Sequence, residues 1–96
     1  MTAARIRRNP AVREEAVDEA LFLIDEAADA IYHLDALAAA LWRILDAEPG
    51  LDEVVAVFAD AFPEVEPMTV AADVVRAVES LCSSGLAIAA RPAQGR

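Results

Sequence analysis

The chain has no lysine, one cysteine, one histidine and three glycines, and aromatic residues fill only 5% of its 96 positions. With Cys82 as the single thiol, no internal disulfide can form. Cys82 and His33 each stand alone, so the Cys/His spacing of a metal site is missing. Gly50, Gly85 and Gly95 lie too far apart for a phosphate-cradling loop. No apolar run approaches the roughly 20 residues of a membrane-spanning helix. The basic start, Arg5, Arg7 and Arg8, lacks the apolar stretch that a secretory signal needs. These shortages lead us to expect a cytoplasmic protein without a membrane partner. The eight cations are all Arg and face 17 acids, for a net charge of −9. Such a surface repels phosphate backbones, which speaks against a nucleic-acid partner.

What remains is one small domain. Apolar residues make up 57% of the chain, and although 23 of them are Ala, the larger ones suffice for one modest core. Residues 1–9 are polar, basic and without periodicity, and are expected to be a flexible tail. A single domain is expected over residues 10–90, with a frayed terminus at 91–96. Val12–Val17 is a weak strand candidate, interrupted by Glu14 and Glu15. Ala20–Ile24 is a continuous apolar run between acids, as a buried strand would be. Ala30–Leu34 has the β-branched and aromatic content of another strand. The acidic segment Asp25–Asp29 would join these two as a hairpin, although it contains no Gly.

After Leu34 the period changes from two to that of a helix. Asp35 is a candidate N-cap, and Leu37, Leu41, Ile44 and Leu45 recur at helical spacing until Pro49-Gly50. A second helix is expected from about Asp52 to Phe62, with Val54, Val57, Phe58 and Ala61 on one face. A loop follows over Pro63–Pro67. Thr69 is expected to cap a third helix, on which Val70, Val74, Ala77, Val78 and Leu81 form the stripe and which Gly85 ends. Leu86–Ala89 could close the fold as a strand. The expected class is α+β: a small antiparallel N-terminal sheet of three short strands, then a three-helix unit, in a winged-helix-like arrangement.

No convergent catalytic set emerges. His33 reads as a strand residue, Cys82 as a small buried hydrophobe and Trp42 as a core residue beside a helical stripe. The carboxylates sit at element ends and on polar helix faces, where capping and solvation explain them. We therefore expect no enzyme activity, no catalytic residue, no metal and no cofactor. Binding surface is what is left. A short sheet has edges, and an edge strand presents unpaired N–H and C=O groups to which an extended peptide can add. The candidate edge is Ala30, Ile31, Tyr32, His33 and Leu34. The candidate wall is the third helix, through Ala71, Val75, Arg76 and Glu79, with Cys82 beyond. The same edge could instead pair with its own copy in a homodimeric assembly module. Three helices with a hairpin also suit a winged-helix-type DNA-binding regulator, but the third helix sets Arg76 against Asp73 and Glu79.

An ordered set of residues resembles the PqqD family. It comprises Leu21-Phe22-Leu23-Ile24-Asp25, Ile31-Tyr32-His33-Leu34-Asp35 and Ala40-Leu41-Trp42-Arg43-Ile44-Leu45-Asp46. It continues through Leu51-Asp52-Glu53-Val54-Val55, Phe58, Phe62-Pro63, Ala72-Asp73-Val74, Leu81 and Gly85-Leu86, so that the likeness runs from Pro10 to Ala89. Asp35 stands where many relatives carry Asn, and either residue can cap a helix. The resemblance implies a peptide chaperone, or RiPP recognition element. Such a domain holds the leader segment of a ribosomally made precursor peptide and delivers it to a modifying enzyme, often a radical S-adenosylmethionine protein. It implies that the leader pairs with the third strand, Ala30–Leu34, and lies against the third helix, Val70–Ser83. Similar domains serve natural product biosynthesis, including the pyrroloquinoline quinone, lasso-peptide and mycofactocin pathways.

Overall fold

Successive strand residues send their side chains to opposite faces, and the segment from Arg13 to Leu34 folds into a sheet with one of its faces on the core. In the computed structural model, which describes residues 5–90, the elements run in order along the chain. Strands β1 (Arg5–Arg8), β2 (Arg13–Val17), β3 (Ala20–Asp25) and β4 (Ala30–Leu34) come first. Helix α1 (Ala36–Ile44), a 3-10 turn (Leu45–Ala47), α2 (Leu51–Ala61), α3 (Pro67–Ser83) and strand β5 (Ala87–Ala90) follow. The expected α+β order of three antiparallel strands and then three helices is present, with β2-β3-β4 as a meander. The segment expected to fray, 91–96, lies outside the described residues.

Register decides which side chains enter the core. Leu21 lies opposite Leu34 and Leu23 opposite Tyr32, and this face packs onto the helices. Phe22 opposite His33 and Ile24 opposite Ile31 take the other face, because successive side chains alternate. Both hairpin turns lack Gly. Asp18 and Asp29 each adopt φ 56°, a left-handed conformation that Asp tolerates better than most residues. Asp25 Oδ1 also accepts the Ala28 N–H at 3.3 Å, which closes the second turn.

The expected loose tail is corrected at Arg5–Arg8. This segment is β1, and it pairs antiparallel with β5 in a separate two-stranded sheet. Its one large apolar residue, Ile6, is 2% exposed, and its N–H donates to the Pro49 carbonyl at 2.8 Å. Arg8 does the rest of the fastening. Its guanidinium sits 4.8 Å from the centre of the Trp42 ring, and its Nε donates to the Trp42 carbonyl at 3.0 Å. Trp42 is a core residue, as expected, and its indole N–H donates to Glu14 Oε1 at 2.9 Å.

The helices start and stop for local reasons. Asp35 is the N-cap of α1, with Oδ1 accepting the Ala38 N–H at 2.8 Å. We predict that Asp35→Ala lowers stability by about 1 kcal/mol, measured as a shift of the urea midpoint at unchanged slope. Pro49-Gly50 does not itself close α1. The 3-10 turn and Glu48, at φ 53°, do so, and Gly50 becomes the N-cap of α2, its N–H donating to Glu53 Oε1 at 2.7 Å. Helix α3 begins at Pro67, two residues before Thr69, which therefore sits inside the first turn and not at the cap. Proline fits that first position, because the opening N–H groups of a helix have no intrahelical partner to lose. At the other end Gly85 takes φ 78°, which lets the Leu86 N–H reach back to the Leu81 carbonyl at 2.9 Å.

Candidate functional site

An edge strand is defined by what does not pair with it. Strand β4 bonds to β3 on one side, and among the described residues no strand pairs with its other side. The five candidate edge residues therefore lie together on an open border. Leu34 is buried and Tyr32 half-buried toward the core, whereas Ile31 and His33 point to the opposite face. Ile31 is 70% exposed, an unusual position for a large apolar side chain. His33 is exposed and its ring leans on Phe22, with centroids 5.1 Å apart.

Helix α3 shares the core with β4. Val70, Val74, Val78 and Leu81 are its buried stripe, in the same cluster as Leu34 and Tyr32. At about 3.6 residues per turn, Ala71 and Val75 lie on one flank of this stripe, with Cys82 two turns on. Ala71 and Val75 are half-buried, while Cys82 packs against the core. Arg76 and Glu79 are placed differently. Both are exposed on the side of α3 turned away from the core, and Arg76 Nη1 is bound to Asp73 Oδ1 at 3.2 Å. The structure thus groups Ala71 and Val75 beside the buried stripe but leaves Arg76 and Glu79 apart from them.

Burial pushes the Cys82 thiol above its ordinary pKa. A raised value in the fold favours the protonated form, so this contribution to stability is present at neutral pH. It is lost as pH rises through the folded value. We expect iodoacetamide at pH 8 to alkylate Cys82 several-fold more slowly in the folded chain than in urea, as followed by mass spectrometry.

A second feature has no counterpart in the sequence reading. An open cleft of about 220 Å³ lies between Leu37 of α1, Phe58 of α2, Phe62 and Val65 just after it, and Val70 and Val74 of α3, with Asp73 also lining it. Phe58 and Phe62 stack at 6.4 Å, and Phe62 remains 45% exposed. The signal available in the sequence was an aromatic at the end of a helix, just before Pro63. Leu37 comes three residues after β4, which puts one wall of the cleft close to the end of the open strand.

Charge surrounds these apolar features without entering them. Among the described residues no charged or polar residue is fully buried, and no group of three or more His, Cys, Asp or Glu is placed to hold a metal ion. No described helix is long and apolar enough to cross a membrane.

Comparison with known proteins adds to this geometry. The family model described as "Coenzyme PQQ synthesis protein D (PqqD)" matches residues 20–87. The solved structure of TbiB1 in complex with the TbiA(beta) leader peptide is similar, with a TM-score of 0.74 at 20% identity, covering 94% of this chain and 96% of that one. A lasso peptide synthetase B1 complexed with the leader peptide gives 0.73 at 24% identity, covering 86% and 96%. No curated protein sequence matches.

Proposed function

Since the chain belongs to the PqqD family, we propose that it is a non-catalytic module that binds the leader segment of a ribosomally made precursor peptide and presents it to a modifying enzyme. The radical S-adenosylmethionine proteins are the class of enzyme we favour for that role, in the cytoplasm. The observation that carries the reading is the unpaired outer border of β4, in a fold shared with two proteins that were solved with leader peptides on them.

The mechanism is β-augmentation. The peptide aligns with Ala30–Leu34 and bonds to main-chain groups that pair with no strand among the described residues. Each such hydrogen bond contributes a net of about 0.5–1.5 kcal/mol. Alternate peptide side chains turn toward the helices, where Ala71 and Val75 offer an apolar flank and the cleft beside Leu37 and Phe62 accepts a bulky apolar group. Arg76 and Glu79 act at most on the margin of this site, because exposed charges contribute little. Several main-chain bonds and modest apolar burial amount to about −8 kcal/mol, a micromolar dissociation constant. DNA binding has little support, since α3 exposes Asp73 and Glu79 and its Arg76 is engaged by Asp73.

Calorimetric titration of a candidate leader segment tests the proposal. We expect micromolar binding, amide shifts concentrated at Ala30–Leu34 and at Ala71–Val75, and at least a tenfold loss with Val75→Asp, which places a charge on the apolar flank. Shifts confined to other regions would remove β4 as the docking edge.

A further inference from the structure

Among the described residues, the apolar side chains on the outer face of the β2-β3-β4 sheet stay outside the core cluster, although this face is not the polar surface that a solvated sheet face normally carries. Phe22 and Ile24 on β3 lie beside His33 and Ile31 on β4. Val17 on β2 is 50% exposed, at one end of the same sheet. Acids bracket this stripe. Asp18 and Glu19 form the turn at one end, and Glu26 and Asp29 lie in the turn at the other. Arg13 and Glu15 of β2 stand on the same face, opposite Ile24 and Phe22, and Arg13, its one cation, is already engaged by Glu26 at 2.9 Å and by Glu15 at 3.9 Å.

We propose that this outer sheet face is a docking surface for a folded partner protein whose contact patch is apolar at its centre and basic at its rim. Apolar area supplies the association, and the two acidic turns select the partner by charge. The charge pattern excludes the other occupants. A second copy would press acidic turns against acidic turns on a chain of net charge −9, and an anionic membrane would be repelled by both rims. The surface is also separate from the open border of β4. A peptide added there bonds in the plane of the sheet, whereas these side chains stand perpendicular to it. Cargo and partner can therefore be held at once. The identity of the partner as the modifying enzyme rests on the function proposed above; the surface itself does not.

The test uses the full chain, labelled with nitrogen-15, and a purified radical S-adenosylmethionine enzyme of the same organism, with and without leader peptide. We expect the enzyme to broaden the amide signals of Phe22, Ile24 and Ile31, and its affinity to fall as salt rises. Ile24→Lys and Val17→Lys should each weaken enzyme binding at least tenfold while leaving leader affinity within twofold. Val17 is exposed, so Val17→Lys keeps the fold, which a thermal melt verifies. The double variant Asp18→Asn/Asp29→Asn, whose new residues tolerate the left-handed backbone, should flatten the salt dependence. Unchanged enzyme binding in both Lys variants would overturn the proposal. So would sedimentation showing a self-dimer that Ile24→Lys dissolves. If the leader fails to bind but the enzyme still docks on this face, the peptide-binding reading falls and the docking surface stands. If the leader binds and the enzyme ignores the face, only the docking surface falls.

Discussion

Trp42→Ala is expected to remove about 3–5 kcal/mol of stability, the range for truncating a large buried aromatic side chain. A domain of this size holds only about 5–15 kcal/mol in total, so the variant should be largely unfolded in moderate urea or near body temperature. Three structural units depend on this one ring. It is 2% exposed at the centre of the core. Its N–H holds Glu14 and thereby the edge strand β2, which contributes no buried residue of its own. Its face and its backbone carbonyl hold Arg8 and thereby β1. Trp42→Phe separates these roles. It keeps most of the apolar volume and a ring for Arg8 but loses the donor to Glu14, so we expect about 1–2 kcal/mol, close to the worth of one hydrogen bond to a charged group with some solvent exposure. Far-ultraviolet circular dichroism against urea measures both variants, since neither retains the indole. If Trp42→Ala melts within a few degrees of the parent, the ring is not the organising contact.

The elements that were legible in the sequence are those whose signal is local. Ala20–Ile24 and Ala30–Leu34 carry their strand character in their own residues, and Asp35 marks a helix start through its own carboxylate. Gly85 announces a stop because glycine takes a left-handed backbone without the strain that most residues would meet there. Strand β1 was hidden because nothing within Arg5–Arg8 except Ile6 is apolar, and its pairing partner, Ala87–Ala90, lies at the other end of the chain. Its order comes from Trp42 and from the Pro49 carbonyl, both remote in sequence. The start of α3 was misplaced for a related reason, since Pro67 reads as a loop residue until its place in the first turn is known. The candidate edge was visible as a strand, but its openness depends on sheet order, which residue pattern does not encode. On α3 the periodicity was read correctly for the buried stripe. Arg76 and Glu79 were named with Ala71 and Val75 as one wall, and the same periodicity carries them round to the solvent side.

The openness of β4 makes the second large prediction a matter of parity. In a strand pair only alternate residues of each strand direct their main-chain groups toward the partner; the others point away. A leader peptide lying along Ala30–Leu34 must therefore respond to single N-methylation with a period of two. Methyl groups on N–H groups that face β4 remove a hydrogen bond worth about 0.5–1.5 kcal/mol and also obstruct close approach. We expect losses of tenfold or more at those positions. Methyl groups on the intervening N–H groups should change affinity by less than about threefold, because those groups remain in water. A peptide held mainly as a helix against the cleft at Phe62 would show a different pattern, with sensitive positions three and four residues apart on one face. Titrating the methylated series by fluorescence anisotropy distinguishes the two. The alternating pattern assigns binding to the backbone of β4, and its absence would leave the apolar flank of α3 and the cleft to hold the peptide by side chains alone.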